Sequence, residues 1–316
     1  MQKPLVSVIC LCYNHQAFVK RAIDSVLQQT YDNIELIVVD DASPDQSQKI
    51  ILAASKADGF QTIFNEKNVG NCKSFNIGLT QSKGKYVIDL AADDVLLPTR
   101  IEIGVAQLEQ KGETYGVHFC DANLIDKHGQ TLGTHYKRDE NGSLLENVPS
   151  GDIYVQLVEK YFICTPTMMM RRQVLEELNG YDEALRYEDF DFWVRSARNY
   201  KYAFSDEILV NKSMLGQSLS AVQHQKKNLH ALSTAKVCEK ILSMNKTDKE
   251  NRALLKRVTY ELKWALITEN WEVSKKFIQI KNKISKLTAR SVVEKTILRI
   301  KPPWFSLWKV ILNLNY

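Results

Sequence analysis

The sequence predicts an α/β protein in which helices flank a mixed, mainly parallel sheet, with a helical extension at the C-terminus. Two observations support this fold class. Continuous apolar runs alternate with segments of helical period from Leu5 to about Gly104, which is typical of parallel strands that are covered on both faces and joined by right-handed crossover helices. From about Gln225 onward the apolar residues recur only with the helical period.

The first elements follow as strand, helix, strand and helix. LVSVICLC is a continuous apolar run and predicts a buried strand, and the apolar residues of AFVKRAIDSVLQQ recur three and four positions apart, as on one face of a helix. IELIVVDD predicts a second buried strand, which ends in the turn signal DASPDQS before the helix SQKIILAASKA.

The alternation continues through the middle of the chain. The polar stretch 121–150 is rich in glycine, asparagine and aspartate and predicts a hairpin and a mobile loop. The other predicted elements are, in order, the strand QTIFN, the helix NCKSFNIGLTQS, the strand KYVIDL, the helix LLPTRIEIGVAQLEQ, the strand YGVHFC, the helix GDIYVQLVEKYF, a strand, a helix, an acidic turn and a helix within 164–199, and the strand YKYAFSDEILVNK.

Length and composition are those of an ordered globular protein. The 316 residues are 44% hydrophobic and 25% charged, and we expect an α/β domain over residues 1–224 and a helical extension over 225–316. The six cysteines lack metal-ligand spacing, so we expect free thiols in a reducing cytosol. MQKPLVSVICLCYN lacks the features of a signal peptide, and no apolar run approaches the length of a membrane span.

Charge is distributed unevenly along the chain. Residues 225–316 contain 20 Lys and Arg and 7 Asp and Glu. The preceding residues contain 22 Lys and Arg and 30 Asp and Glu. A basic tail on an acidic body suits an anionic lipid surface or nucleic acid, and the alternative is a solvated helix face. The terminal PPWFSLWKVILNLNY either contacts a membrane interface or folds back onto the body of the protein.

Four carboxylates follow the predicted parallel strands. Asp40 and Asp41 end the second strand, and Asp93 and Asp94 follow KYVIDLAA. Ligands bind beyond the carboxyl ends of such strands, where a divalent cation would relieve the repulsion between neighbouring carboxylates. A solvated loop or a helix N-cap is the alternative interpretation of Asp93 and Asp94.

Five blocks, from Leu5 to about Ser220, resemble family 2 glycosyltransferases, whose nucleotide-sugar-binding fold is called GT-A. These blocks are VSVICLCYNHQAFVKRAIDSVLQQTYDNIELIVVDDASPD, NEKNVGNCKSFNIGLTQSKGKYVIDLAADD, TPTMMMRR, GYDEAL and YEDFDFWVR. The resemblance covers about two-thirds of the chain and does not include the tail.

The resemblance implies an inverting, metal-dependent glycosyltransferase. The donor would be a UDP-sugar or dTDP-sugar, and the acceptor a hydroxyl of a glycan or of a lipid-linked oligosaccharide, in the synthesis of a bacterial surface polysaccharide. We expect no nucleic-acid partner. We expect a cytoplasmic protein, peripheral on the inner face of the cell membrane, where its tail would contact anionic lipid.

The resemblance also implies a metal motif. Asp94 would ligate Mn²⁺ or Mg²⁺, and Asp93 would contact the ribose or complete the metal shell. Relatives often have an additional aspartate where Ala91 stands in this chain, so the motif is reduced to an Asp-Asp pair.

The acidic motif YEDFDFW would supply the general base, which deprotonates the acceptor hydroxyl. Asp189 is the expected base, Glu188 is its neighbour in the motif, and Asp191 is the second candidate. A charged helix start is the alternative interpretation, because carboxylates favour helix N-termini. Trp193 either packs in the core or lines the acceptor side.

The remaining expected site residues would bind the donor. Tyr13, with Asn14, would stack on the pyrimidine, and Asp41 would accept the imide N–H of uracil or thymine. Residues of the segment before the metal motif would approach the diphosphate, in particular Lys73, because Phe75 stands where many relatives have arginine. That segment contributes Asn68, Gly70, Lys73 and Asn76. VNKSMLGQS lacks the histidine that relatives have in the pattern Tyr-Arg-any-His.

Two other functions stay open at this point. A non-catalytic protein that binds nucleotide sugars would share the fold. A sugar nucleotidyltransferase would show a glycine-rich loop after the first strand, and CYNHQAF has no glycine. The same segment lacks the G-x-G-x-x-G pattern of a dehydrogenase.

Overall fold

The computed structural model describes residues 3–215, 226, 228–285 and 289–302. The chain forms two compact units. Unit 1 comprises Met1–Ile153 and Phe162–Leu215, and unit 2 comprises Tyr154–Tyr161 and Gly216–Tyr316. The predicted domain boundary between residues 224 and 225 lies outside the described residues, as does the terminal segment that was predicted to contact a membrane or fold back.

Unit 1 contains a nine-stranded mixed sheet with the order β3-β2-β1-β4-β8-β6-β9-β5, in which β7 pairs with β6. The pairs β1–β2, β1–β4, β2–β3 and β6–β9 are parallel, and the others are antiparallel. The strands are β1 Val6–Cys12, β2 Ile34–Asp40, β3 Gln61–Phe64, β4 Tyr86–Ala91, β5 Val95–Leu96, β6 Tyr115–Ile125, β7 Thr131–Thr134, β8 Met169–Arg171 and β9 Lys201–Ser213.

Helices cover this sheet, and a second group of helices builds unit 2. Helix α5 and helices α8 to α11 belong to unit 2. The helices are α1 Val19–Leu27, α2 Ser47–Asp58, α3 Asn71–Gln81, α4 Arg100–Lys111, α5 Tyr154–Glu159, α6 Arg172–Glu177, α7 Asp189–Ser196, α8 His230–Met244, α9 Asp248–Ile267, α10 Trp271–Ile284 and α11 Ala289–Ile300.

The apolar pattern explains the centre of unit 1. Every residue of β1 is buried, as its continuous apolar run predicts. Helix α1 packs on this strand through Val19, Ala22, Ile23 and Val26, which are all buried. The six cysteines are buried free thiols, as predicted.

Two predicted boundaries are wrong. The helix predicted from Leu96 begins at Arg100, because Val95 and Leu96 form a short strand that pairs with β9. The strand predicted as YGVHFC continues to Ile125, because β9 and β7 both pair with its second half. The predicted hairpin in the polar stretch is formed by β6 and β7.

Unit 2 has its own core. Buried residues of α8, α9 and α10 include Val237, Leu254, Val258, Leu262 and Phe277. Helix α9 begins with a capping box, in which Thr247 and Glu250 satisfy each other's backbone N–H groups. Across the described residues, none of the helices combines the length and apolarity that crossing a bilayer requires.

Candidate active site

The candidate site lies where β1, β2 and β4 end. In the parallel register Cys12 stands opposite Asp40, and Leu11 stands opposite Ala91. Two hydrogen bonds extend this alignment beyond the strands, from the Asp41 N–H to the Cys12 carbonyl and from the Ala92 N–H to the Leu11 carbonyl, each 2.9 Å long. The three strand ends therefore bring Tyr13, Asp41 and Asp93 to one edge of the sheet.

Asp94 is held inside this edge by β9. Its side chain is only 5% exposed, and its Oδ1 accepts a hydrogen bond of 2.8 Å from the Ser213 N–H. Burial, and then the charge of Asp93, raise the pKa of Asp94 above its ordinary value, whereas the Ser213 N–H, Lys212 and Arg21 favour the ionised form. Asp94 is therefore a carboxylate for which the fold provides too little positive charge.

Arg21 and Ser213 fix the turn that carries the two aspartates. Arg21 Nη2 lies 3.5 Å from the Asp93 carbonyl oxygen and 3.4 Å from Ser213 Oγ, and that hydroxyl also donates to the Asp93 carbonyl. Arg21 Nε is buried and has no hydrogen-bond partner among the residues that the structure describes. Three segments that are distant in sequence, α1, the turn after β4 and the end of β9, therefore meet at Asp93 and Asp94.

The donor atoms of this pair suit a hard divalent cation. Carboxylate oxygens are the ligands that Mg²⁺ and Mn²⁺ prefer. A cation would stabilise the ionised form of Asp94, which burial and then the charge of Asp93 disfavour. In the part of the chain that the structure describes, no group of three or more His, Cys, Asp and Glu side chains is arranged to hold a metal. A cation at this pair would therefore take its other ligands from phosphate oxygens and water.

Asp41 binds the loop between β3 and α3. Its Oδ1 accepts hydrogen bonds from Asn65 Nδ2 and the Val69 N–H, and its Oδ2 accepts one from the Gly70 N–H. A carboxylate has about four acceptor positions, so one remains on Oδ2. Asp40 is fully buried and accepts hydrogen bonds from Ser43 and Gln48, so its role is structural.

Tyr13 projects from the edge of the sheet. The residue is 47% exposed, so it is not a core residue, and its ring is accessible to a ligand. Asn14 has a left-handed backbone conformation with φ of 59°, and its N–H donates to Ser43 Oγ at 2.9 Å. The turn after β1 is therefore tied to the turn after β2.

Glu188 and Asp189 form a second acidic cluster, at the start of α7. Glu188 is buried and accepts a hydrogen bond from Asn71 Nδ2. Asp189 Oδ2 accepts one of 3.1 Å from Thr165 Oγ1, and its Oδ1 accepts one of 2.6 Å from the Phe190 N–H. Thr165 belongs to the short 3-10 turn Thr165–Thr167.

Burial dominates the electrostatics of this cluster. It is the largest cause of the raised pKa of Glu188, followed by the charges of Asp189 and Asp89. Burial also raises the pKa of Asp189. The Phe190 N–H, the Thr165 hydroxyl and the charge of Lys212 lower this pKa, because they favour the ionised form. Asp89 has a pKa raised to about 7 by burial, opposed by the Tyr181 hydroxyl. Carboxyls of this kind can accept a proton near neutral pH.

Asp191 has a different environment. It is 1% exposed and forms an ion pair of 2.6 Å with Arg195, one helical turn further along α7. Arg195 also donates to the carbonyls of Leu178 and Gly180. Trp193 is buried, and its indole N–H donates to the sulfur of Met168, which is the core packing expected as one of its two roles.

Lys73 and Asn76 are directed to the segment before α7. The Asn76 amide exchanges hydrogen bonds with the backbone of Tyr181 and donates to Glu183, and Lys73 pairs with Glu183 at 3.7 Å. Phe75 is fully buried and stacks on Tyr181, with ring centroids 4.1 Å apart. Asn68 is exposed in the loop between β3 and α3.

Lys212 was not predicted as a site residue. It is half-buried near the end of β9, and its charge favours the ionised forms of both Asp94 and Asp189. Both carboxylates therefore lie within electrostatic reach of the same cation. The sequence contains no local signal for the roles of Arg21, Lys212 and Ser213. These roles depend on contacts between segments that are distant in the chain.

Comparisons with known proteins place the chain in a family. Residues 7–178 match the family model described as Glycosyl transferase family 2. An uncharacterized glycosyltransferase of Haemophilus influenzae is 32% identical over 230 residues, 71% of this chain and 70% of the relative. An uncharacterized glycosyltransferase of Methanocaldococcus jannaschii is 29% identical over 237 residues, 72% and 77% of the two chains.

Solved structures share the fold. TarS 1–349 of S. aureus, in complex with UDP-GlcNAc, has a TM-score of 0.70 at 16% identity, over 94% of this chain and 88% of that one. The mannosyltransferase PcManGT of Pyrobaculum calidifontis, in complex with GDP-Man and Mn²⁺, has a TM-score of 0.57 at 16% identity, over 98% and 84%. From its sequence matches and its mixed α/β architecture, the chain belongs to glycosyltransferase family 2 and has the GT-A fold.

Proposed function

We propose that this glycosyltransferase is an inverting enzyme that transfers a sugar from a UDP-sugar or a dTDP-sugar to a hydroxyl of an acceptor. One observation carries the proposal: Asp94 and Asp189, from different elements of unit 1, lie within electrostatic reach of Lys212 beside the carboxyl ends of the strands. A base and a leaving-group site on opposite sides of a sugar produce a single displacement, which inverts the anomeric carbon.

Asp93 and Asp94 would hold Mn²⁺ or Mg²⁺. Bound there, the cation would supply positive charge to the departing diphosphate. The arrangement of Arg21 and Ser213 supports this role, because it keeps the turn with both aspartates in one position. The PcManGT complex, which contains GDP-Man and Mn²⁺, supports manganese as the cation to test first.

Asp189 is the proposed base. Burial raises its pKa and so makes it a stronger base than an ordinary aspartate, and the hydrogen bond from Thr165 orients the carboxylate. Arg195 already neutralises Asp191, so we do not assign the base to that residue. Glu188 is proposed to position Asp189, since Asn71 anchors it at the start of α7.

Tyr13 and Asp41 would bind the nucleobase. The exposed Tyr13 ring would stack on the pyrimidine, Asn14 would hold the turn that presents it, and the remaining acceptor position on Asp41 Oδ2 would accept an imide N–H. UDP-GlcNAc in the TarS complex supports a uridine donor.

Asn68 would approach the diphosphate, whereas Lys73 and Asn76 would act through the Tyr181–Glu183 segment.

The proposed acceptor is a glycan or a lipid-linked oligosaccharide in the synthesis of a bacterial surface polysaccharide. The basic composition of residues 225–316 supports a position on the inner face of the cell membrane, where anionic lipid would attract them. In this proposal residues 1–224 form the catalytic domain, and residues 225–316 form the extension that contacts the membrane.

Nucleoside diphosphate release from a panel of nucleotide sugars, with and without Mn²⁺, tests the proposal. We expect turnover with a uridine or thymidine donor and a fall of about 100-fold or more in Asp189→Asn, the usual contribution of a general base. Asp189→Asn should still bind UDP with Mn²⁺ in calorimetry, whereas Asp94→Asn should lose the manganese-dependent part of binding. Asp32→Asn, an exposed carboxylate elsewhere in unit 1, is the matched control.

The same assay separates the alternatives. UDP binding without turnover for any donor, and without an effect of Asp189→Asn, would establish a non-catalytic binding protein instead. Pyrophosphate release from a nucleoside triphosphate and a sugar phosphate would establish a nucleotidyltransferase, which the absence of glycine from the turn after β1 disfavours.

A further inference from the structure

One side of α9 carries a row of exposed cations. Its positions are spaced three, four, four and three residues apart, so they lie on one face of the helix. The row extends over about 21 Å at 1.5 Å per residue. We call this the α9 face, and it consists of Lys249, Arg252, Lys256, Tyr260 and Lys263, all of which are exposed.

The opposite side of α9 explains why this face is presented to solvent. Leu254, Val258 and Leu262 are buried and pack in the core of unit 2. The helix cannot rotate without exposing these residues, which would cost a large part of the hydrophobic free energy that stabilises the unit. The orientation of the α9 face is therefore set by the fold of unit 2.

Little of the positive charge on the α9 face is neutralised by the protein. Lys256 pairs with Glu159 at 2.8 Å, but both side chains are well exposed, at 67% and 40%, so this pair contributes little. Among the described residues, no carboxylate lies within 4.0 Å of Lys249, Arg252 or Lys263. The face therefore presents a row of cations to an external anion.

Aromatic and apolar groups accompany these cations. Tyr260 is 49% exposed and makes an edge contact with Trp264, with ring centroids 6.4 Å apart. A shallow groove of about 470 Å³ runs along the face, lined by Leu255 and Thr259 together with Lys256, Tyr260 and Lys263. Amphipathic rings beside lysine and arginine are typical of the boundary between lipid headgroups and water.

We propose that the α9 face binds the anionic headgroups of a lipid bilayer surface. A straight, 21 Å row of cations with a central tyrosine fits a flat anionic surface, to which every cation adds attraction independently. The proposal deepens the membrane contact in the proposed function by naming the surface. It can fail while the sugar-transfer reaction stands, because none of these residues belongs to the candidate active site.

Vesicle co-sedimentation of the full chain tests this assignment. The probes are phosphatidylcholine vesicles with and without 30 mol% phosphatidylglycerol, at low and high salt. The test variant is K249Q/R252Q/K256Q/K263Q. The matched control is K49Q/K56Q/K83Q/K111Q, which changes net charge equally at exposed lysines of unit 1.

We expect the wild type to bind only the anionic vesicles and to be released by salt. Each lost cation should weaken binding about fivefold, so the α9 variant should lose about 100-fold or more and the control much less. Y260S should weaken binding with little change in its salt dependence. Hydrolysis of the donor sugar should be unchanged in all variants.

Three outcomes would overturn the proposal. Equal losses of vesicle binding in the α9 variant and the control would show that net charge alone causes the binding. Full binding by the α9 variant would place the contact elsewhere in the chain. Binding to duplex RNA or to an acidic protein, with no binding to anionic vesicles, would assign the face to another class of partner.

Discussion

Arg21 and Ser213 determine where Asp93 and Asp94 lie, although neither is a neighbour in sequence. Arg21 Nη2 reaches the Asp93 carbonyl and Ser213 Oγ, and the Ser213 N–H holds the Asp94 carboxylate. A pair of adjacent carboxylates on a loose loop would separate to reduce their repulsion. The position of Asp93 and Asp94 therefore depends on two residues that lie outside this Asp-Asp pair.

Arg21→Gln is predicted to weaken manganese-dependent UDP binding about tenfold, the order of effect that residues supporting metal ligands have. The reason is that the turn at Asp93 loses the guanidinium that ties it to α1. Isothermal calorimetry with UDP and Mn²⁺ measures the change. Lys20→Gln is the control, because Lys20 is exposed and forms its ion pair with half-buried Asp24 on the same helix. Equal losses in both variants would contradict the role of Arg21.

Asp189 and Asp191 are two positions apart but should respond oppositely to substitution. Asp191→Asn removes the partner of Arg195 and should destabilise the protein by about 3 kcal/mol. Asp189→Asn removes a carboxyl whose burial already disfavours its charge, so it should retain stability while losing turnover. Chemical denaturation and initial rates measure the two effects. A stable, inactive Asp191→Asn protein would reverse the assignment.

Among the elements, α3 supports the site indirectly. Its Asn76 amide holds the backbone of Tyr181, and Phe75 stacks on the Tyr181 ring. Both contacts position the segment that leads into Glu188 and Asp189. We therefore propose that α3 acts through the segment that carries Glu188 and Asp189, and the donor-binding role predicted for its residues from the sequence stays a prediction.

Asn76→Ala is predicted to lower the free energy of unfolding by about 2 kcal/mol, because partners in the Tyr181–Glu183 segment lose their hydrogen bonds. It should also lower kcat, since α7 loses a support, while UDP affinity changes little. Lys73→Ala removes an exposed ion pair and should change neither the free energy of unfolding nor kcat appreciably. A large loss of UDP affinity in both variants would restore the direct role in diphosphate binding.

Most strands and helices were predictable because they have a local signal, and β5 was not, because it depends on pairing with β9. The apolar runs of β1 and β2 and the helical period of α1 are visible in the sequence and agree with the observed burial. The ion pair of Asp191 and Arg195 could also be predicted, because the residues are one helical turn apart. Arg21, Lys212 and the donors to Asp41 could not be predicted, since they depend on which distant segments meet.

Over the whole of unit 1, the buried carboxyls make stability depend on pH. Asp89, Asp94, Glu188 and Asp189 all have a raised pKa, with burial as the largest cause. A carboxyl with a raised pKa contributes stability that is complete below its unfolded pKa and is lost as pH rises through the folded pKa. For Asp89, Asp94 and Glu188, whose pKa values are raised to about 7, about 8 and about 8, the loss falls between about pH 4 and pH 8.

Without ligands, the protein is predicted to have a Tm lower by about 5 °C at pH 8 than at pH 6. Mn²⁺ with UDP should raise Tm more at pH 8 than at pH 6, because a cation binds the ionised carboxylates and competes with protons. Thermal unfolding at both pH values, with and without both ligands, measures this. A ligand effect that is greater at pH 6 would contradict the electrostatic description of the site.

The most direct measurement is anomalous diffraction from crystals of the full chain grown with Mn²⁺ and UDP. The account predicts a manganese ion within about 2.5 Å of an oxygen of Asp94, with the diphosphate completing its coordination and the Asp189 carboxylate facing the donor cleft. An ion bound away from Asp93 and Asp94, or an Asp189 side chain pointing out of the cleft that holds UDP, would contradict it.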